Sequence, residues 1–113
     1  MFIYCLELHL DLPSRSLKEK RGIVKSILAR ARNRFNTACA EVDRQDNPGA
    51  AVLGFVTVSP DKTIARNVLE RLEDWVYEQW PDVEITGSDI NEVRSGRFPA
   101  TDLLTPRSIS GYL

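Results

Sequence analysis

Residues 2–12 alternate between two sets of side chains. Phe2, Tyr4, Leu6, Leu8, Leu10 and Leu12 fall on one side, and Ile3, Cys5, Glu7, His9 and Asp11 on the other. A period of two predicts a strand with one buried face, and Pro13 stops it. The period then lengthens. Leu17, Val24, Ile27, Leu28, Ala31 and Phe35 recur at three-, four- and seven-residue steps, the stripe of an amphipathic helix. Ser16-Leu17-Lys18-Glu19 has the form of a capping box, in which Ser16 and Glu19 satisfy each other's free N–H groups. The helix is predicted to end within 33–36.

Alternation returns over 37–43, with Ala38, Ala40 and Val42 expected to face inward. Residues 44–50, RQDNPGA, are rich in turn formers. Residues 51–59, AVLGFVTVS, are apolar on both faces and read as a central strand, in which Gly54 suggests a bulge or a close approach. Ser59-Pro60 is expected to open a second helix, as N-cap and first helical residue. Its stripe is Ile64, Val68, Leu69, Leu72, Trp75, Val76 and Trp80, and Pro81 ends it. A last short strand is predicted over 83–86, extending past Gly87.

The order β-α-β-β-α-β, with right-handed crossovers, predicts an α+β ferredoxin-like sandwich: a four-stranded antiparallel sheet with both helices on one face. Residues 1–91 would form this domain. Residues 92–113 are expected to be an extension that packs on the sheet or on a neighbouring chain.

Composition leaves this picture in place. The 113 residues are 42% hydrophobic and 27% charged, ordinary values for one globular domain with a single core. Cys5 and Cys39 are far apart and form neither a disulfide framework nor a zinc knuckle. They are expected to be free thiols in a reducing cytoplasm. The N-terminal strand lacks the basic start and unbroken apolar stretch of a signal peptide, and no apolar run approaches the roughly 20 residues of a membrane span.

Charge changes the picture more. The chain carries a net charge of −1, yet residues 13–34 hold eight bases (Arg15, Lys18, Lys20, Arg21, Lys25, Arg30, Arg32 and Arg34) against one acid, Glu19. Residues 61–92 hold nine acids and three bases. Lys18, Arg21, Lys25 and Arg32 fall on one flank of the predicted first helix. With Arg15 and Ser16 at its entry they form a candidate anion site, because helix N-termini and basic stripes attract phosphate. The competing reading is a solvated face partly paired with the acidic second helix.

The predicted outward sheet face would carry Ile3, Cys5, Glu7, His9, Asp11, Cys39, Glu41, Asp43, Leu53, Phe55 and Thr57. Ile3, Leu53 and Phe55 would make its centre apolar and suited to a partner. Glu7, His9 and Asp11, with Glu41 and Asp43, are a candidate divalent-metal cluster, although polar residues on an open sheet face need no further role. Stacking of RNA bases on sheet aromatics is disfavoured, since only Phe55 would face outward among acids. There is no glycine-rich phosphate loop, no nucleophile–base motif and no sequence-specific DNA-binding motif.

The strand followed by PSRSLKEKR, the segment NRFNTACAEVDRQD, and LGFVTVSPD ahead of the second helix resemble the YlxP-like bacterial family of unknown function. The resemblance spans roughly residues 1–90. It implies a compact ferredoxin-like domain and no established catalytic activity. Genes of that family often stand beside translation-initiation and ribosome-maturation genes, which points by association to RNA or the ribosome. The expectation is therefore a non-enzymatic cytoplasmic module without a cofactor. It would contact RNA or a ribonucleoprotein through Arg15, Ser16, Lys18, Arg21, Lys25 and Arg32. The alternative is a homodimeric interaction module that uses the open sheet face and the C-terminal extension. A metal-dependent enzyme at Glu7, His9 and Asp11 ranks third.

Overall fold

A computed structural model describes residues 1–93. The elements are β1 (Phe2–Asp11), α1 (Leu17–Arg34), β2 (Ala38–Asp43), β3 (Ala50–Ser59), α2 (Lys62–Gln79) and β4 (Glu84–Val93). One antiparallel sheet has the order β2-β3-β1-β4. This is the expected ferredoxin-like arrangement. The expectation for the C-terminal extension falls on 94–113, outside the described residues.

The core follows from the alternation in β1. Tyr4, Leu6, Leu8, Leu10 and Leu12 are buried, and they pack with Val24, Ile27, Leu28 and Ala31 of α1 and Ala65, Leu69, Leu72 and Val76 of α2. Burying each leucine contributes about 1.5–3 kcal/mol. At the far end of the helices the rings of Phe35 and Trp75 meet edge to face at 5.4 Å, and those of Trp75 and Trp80 at 5.1 Å.

Register corrects the reading of the second and third strands. Leu53 pairs with Leu8 and Phe55 with Leu6. Directly opposed residues share a face, so Leu53 and Phe55 point at the helices and are fully buried. They do not belong to the outward surface expected for them. Thr57 also points inward, and its hydroxyl donates to the Asn36 carbonyl at 2.8 Å. β2 follows the same logic. Cys39 opposes Phe55 and Glu41 opposes Leu53, which puts both on the helix side, while Ala38, Ala40 and Val42 are exposed. An apolar run on both faces carries no phase of its own, so its neighbours decide the register.

Two further boundaries differ. α2 begins two residues later than expected: Asp61 is the N-cap, accepting from the N–H groups of Thr63 and Ile64, and Ser59 instead accepts from the Asp61 N–H. β4 starts one residue later than expected, at Glu84, and its extension past Gly87 carries it to ten residues, because Gly87 continues the ladder opposite His9.

Candidate nucleic-acid interface

α1 is held at its start by local chemistry. The Ser16 hydroxyl accepts from the Glu19 N–H at 3.1 Å, and the Glu19 carboxylate accepts from the Arg15 N–H at 2.8 Å. The box closes one residue earlier than expected, on Arg15 rather than on Ser16. This arrangement also fills the helix N-terminus. The Ser16 oxygen is already a cap, and a carboxylate lies where a phosphate would have to approach, which removes the electrostatic attraction of the helix end for an anion.

The basic residues of 13–34 divide into three groups. Lys18, Arg21 and Lys25 are exposed at helical spacings of three and four along one flank. None of them takes part in an ion pair among the described residues. Arg32 continues that flank but is tethered: its Nη2 donates to the Cys39 carbonyl at 2.7 Å. β2 is an edge strand, and covering its carbonyl limits pairing with another chain. Arg15 is exposed in the entry turn.

A second group faces α2. Arg30 lies 4.8 Å above the Trp80 ring centre and 5.8 Å from that of Trp75, and its Nη2 donates to Gln79 at 3.2 Å. Arg34 lies 5.8 Å from the Phe35 ring. These guanidiniums close the aromatic end of the core by cation–π contact.

The third group is Lys20 alone, which is 1% exposed. Its ammonium donates to the carbonyls of Arg44, Gln45 and Asn47 and lies 2.8 Å from Glu41 Oε2. Lysine is rarely buried without such partners. In the sequence Lys20 stands among the eight bases of residues 13–34, outside the expected flank, and its buried role was not expected. Spacing held the signal: position 20 follows Leu17 by three and precedes Val24 by four and Ile27 by seven, in phase with the apolar stripe.

The carboxylate cluster is split. Glu7, His9 and Asp11 share the outer face as expected, with His9 Nε2 3.0 Å from Glu7 Oε1. Glu41 lies on the opposite face, bound to Lys20. Among the described residues no three His, Cys, Asp or Glu side chains are placed to hold a metal ion. Of the expected apolar centre only Ile3 stays on the outer face. Because Phe55 and Tyr4 are buried on the inner face, no aromatic side chain of the described residues lies on the outer one.

The acids of α2 do not neutralise the basic flank. Glu70 pairs with Arg66 on α2 itself at 3.5 Å, and Glu73 accepts from Ser88 of β4 at 2.6 Å. No described helix is long and apolar enough to cross a membrane.

A family model described as protein of unknown function (DUF503) matches residues 3–90. The chain is 34% identical over 71 residues to the Uncharacterized protein YlxP of Bacillus subtilis (strain 168); the match covers 63% of this chain and 76% of the relative.

Proposed function

We propose, for a chain that belongs to the DUF503 family, that the exposed flank of α1 binds the phosphate backbone of RNA, with the ribosome as a natural setting. The observation that carries this reading is the set Lys18, Arg21 and Lys25. Three cations project from consecutive turns of one rigid helix, and no described acid pairs with them. Unpaired cations in a row match the repeating charge of a nucleic-acid strand. Arg15 extends the row by one position. Arg32 supports its far end while holding the edge of β2.

Such contacts position a partner and carry no base information. The outer sheet face supplies no stacking platform among the described residues, so the helix flank acts alone, without the base stacking that strengthens single-strand binders. Structured RNA with a regular backbone is the fitting substrate class.

The test is a fluorescence-anisotropy titration of a short structured RNA at several salt concentrations. Three phosphate contacts predict a log–log salt slope of about −2 to −3. Changing Lys18, Arg21 and Lys25 together to Glu is expected to abolish binding without loss of the fold, because all three are exposed. Equal affinity of the variant and the parent chain would overturn the reading.

A further inference from the structure

At their aromatic end α1 and α2 leave an open recess of about 350 Å³, lined by Arg30, Asn33, Arg34 and Trp75. Three of these residues come from the last turn and a half of α1, and Trp75 closes the recess from α2. Helical spacing sets Arg30 and Arg34 one turn apart on the same face, with Asn33 beside them. Both guanidiniums are held by what lies beneath them. Arg30 stands 4.8 Å over the Trp80 ring centre and 5.8 Å from that of Trp75, and its Nη2 donates to Gln79 at 3.2 Å. Arg34 stands 5.8 Å from the Phe35 ring. The rings are themselves fixed, since the mostly buried Trp75 meets Phe35 and Trp80 edge to face.

A stacked guanidinium keeps its plane and offers the N–H groups of its edge as a preset fork. Among the described residues neither arginine forms an ion pair, and the acids that flank Trp75 on α2, Asp74 and Glu78, pair with neither of them. Both arginines also serve the fold. Positive charge is favourable at a helix C-terminus, and the guanidinium faces cover the aromatic rings. Neither use neutralises the charge, so one small recess keeps two cations and the amide of Asn33.

We propose that this recess binds a phosphate monoester. Two guanidiniums beside one recess match a dianion better than a single carboxylate. A phosphate monoester carries about −1.5 to −2 charge at pH 7 and brings three acceptor oxygens to the two forks and the Asn33 amide. A phosphate inside an RNA strand carries only a single charge. The recess is therefore distinct from the row Lys18, Arg21 and Lys25, which lies on the other flank of α1, and the inference does not rest on the RNA reading. A free nucleotide and the 5′ end of an RNA chain offer the same group.

The experiment is an NMR titration of the full chain that follows the arginine Nε–H and tryptophan indole N–H signals. The probes are inorganic phosphate, uridine 5′-monophosphate and uridine, at constant ionic strength set with chloride. Saturable shifts at Arg30, Arg34 and Trp75 are expected with phosphate and with the monophosphate, and none with uridine. Arg34→Gln should weaken both at least about tenfold. Arg30→Lys keeps the charge, loses the fork and should weaken both as well; thermal unfolding checks that each variant folds. Changing Lys18, Arg21 and Lys25 together to Glu should leave saturable shifts at the recess, so a failure of the RNA reading is told apart from a failure here. A short RNA ending in a 5′ phosphate, set against the same RNA ending in a 5′ hydroxyl, separates the two sources. Tighter binding of the phosphorylated chain than of the monophosphate assigns the recess to an RNA end, and equal binding assigns it to a free phosphate compound. Shifts that do not saturate, that uridine reproduces, or that persist unchanged in Arg34→Gln would overturn the proposal.

Discussion

Lys20 Nζ lies 2.8 Å from Glu41 Oε2, joining the first turn of α1 to the edge strand β2 beneath the helix layer. The lysine side chain is 2% exposed and the glutamate side chain 19%. The three N–H bonds of the ammonium are directed at the carbonyls of Arg44, Gln45 and Asn47. Glu41 Oε2 therefore receives the charge but no well-directed N–H, and it is buried without a hydrogen bond. One cation thus shapes the β2–β3 loop. Arg44 there holds a left-handed backbone at φ 64°, and Ser14 adds a hydrogen bond to the Pro48 carbonyl at 2.6 Å.

Lys20→Met is expected to destabilise the domain by about 3 kcal/mol or more, because it strands a buried carboxylate along with the loop carbonyls. Adding Glu41→Gln should recover part of the loss by removing the unpaired charge. Chemical denaturation of the two single variants and the double variant measures the coupling. Additive losses would show that the two groups do not interact.

Gly54 sits where a side chain would crowd the neighbouring strand. A Cβ there would come 3.1 Å from Val42 Cγ1, since Val42 leans across the sheet at the β2 irregularity between Glu41 and Asp43. Valine is stiff at χ1 and yields little. Gly54→Ala should cost about 1 kcal/mol in thermal or chemical unfolding, and Val42→Ala in the same chain should restore most of it. An unchanged midpoint in Gly54→Ala would show that Val42 moves aside freely.

Cys39 provides a pH-dependent readout of the same strand. Burial pushes its thiol pKa up, and the nearby Arg32 guanidinium opposes the rise. The fold thus favours the neutral thiol. That contribution to stability is complete below the pKa of the unfolded thiol and is lost as pH rises through the higher folded value. In a Cys5→Ala chain, alkylation of Cys39 should be slow near neutrality and should accelerate only at a pH higher than an exposed thiol requires. Arg32→Gln removes the opposing charge and should move the onset to higher pH. Faster alkylation at every pH would mean that Arg32 acts by covering β2 rather than by charge.

Local patterning was enough for the elements and for much of the core. The strict alternation of residues 2–12 sets the buried face of β1, because a period-two strand offers only one apolar side. Ser16 and Glu19 mark the start of α1 because a helix end must satisfy its own N–H groups. The exposed flank of Lys18, Arg21 and Lys25 was legible for the same reason: helical spacing alone places them together. The resemblance carried by residues 1–90 agrees with the matched family and adds no site chemistry.

What residues 51–59 bury could not be read locally. Both faces of that strand are apolar, so its phase depends on pairing Leu53 with Leu8 and Phe55 with Leu6. That pairing moved Leu53, Phe55 and Glu41 from the outer face to the inner one and dissolved the five-residue metal cluster. It also gave Lys20 its partner. Its phase with the apolar stripe marks Lys20 as inward, but the loop carbonyls and the carboxylate that close around it come from distant residues that spacing along α1 does not identify. Periodicity along the chain therefore determined which elements form and which flank of α1 is charged. Contacts between different parts of the chain decided which cations stay free, because only the tertiary structure brings each charge to its partner or leaves it in water.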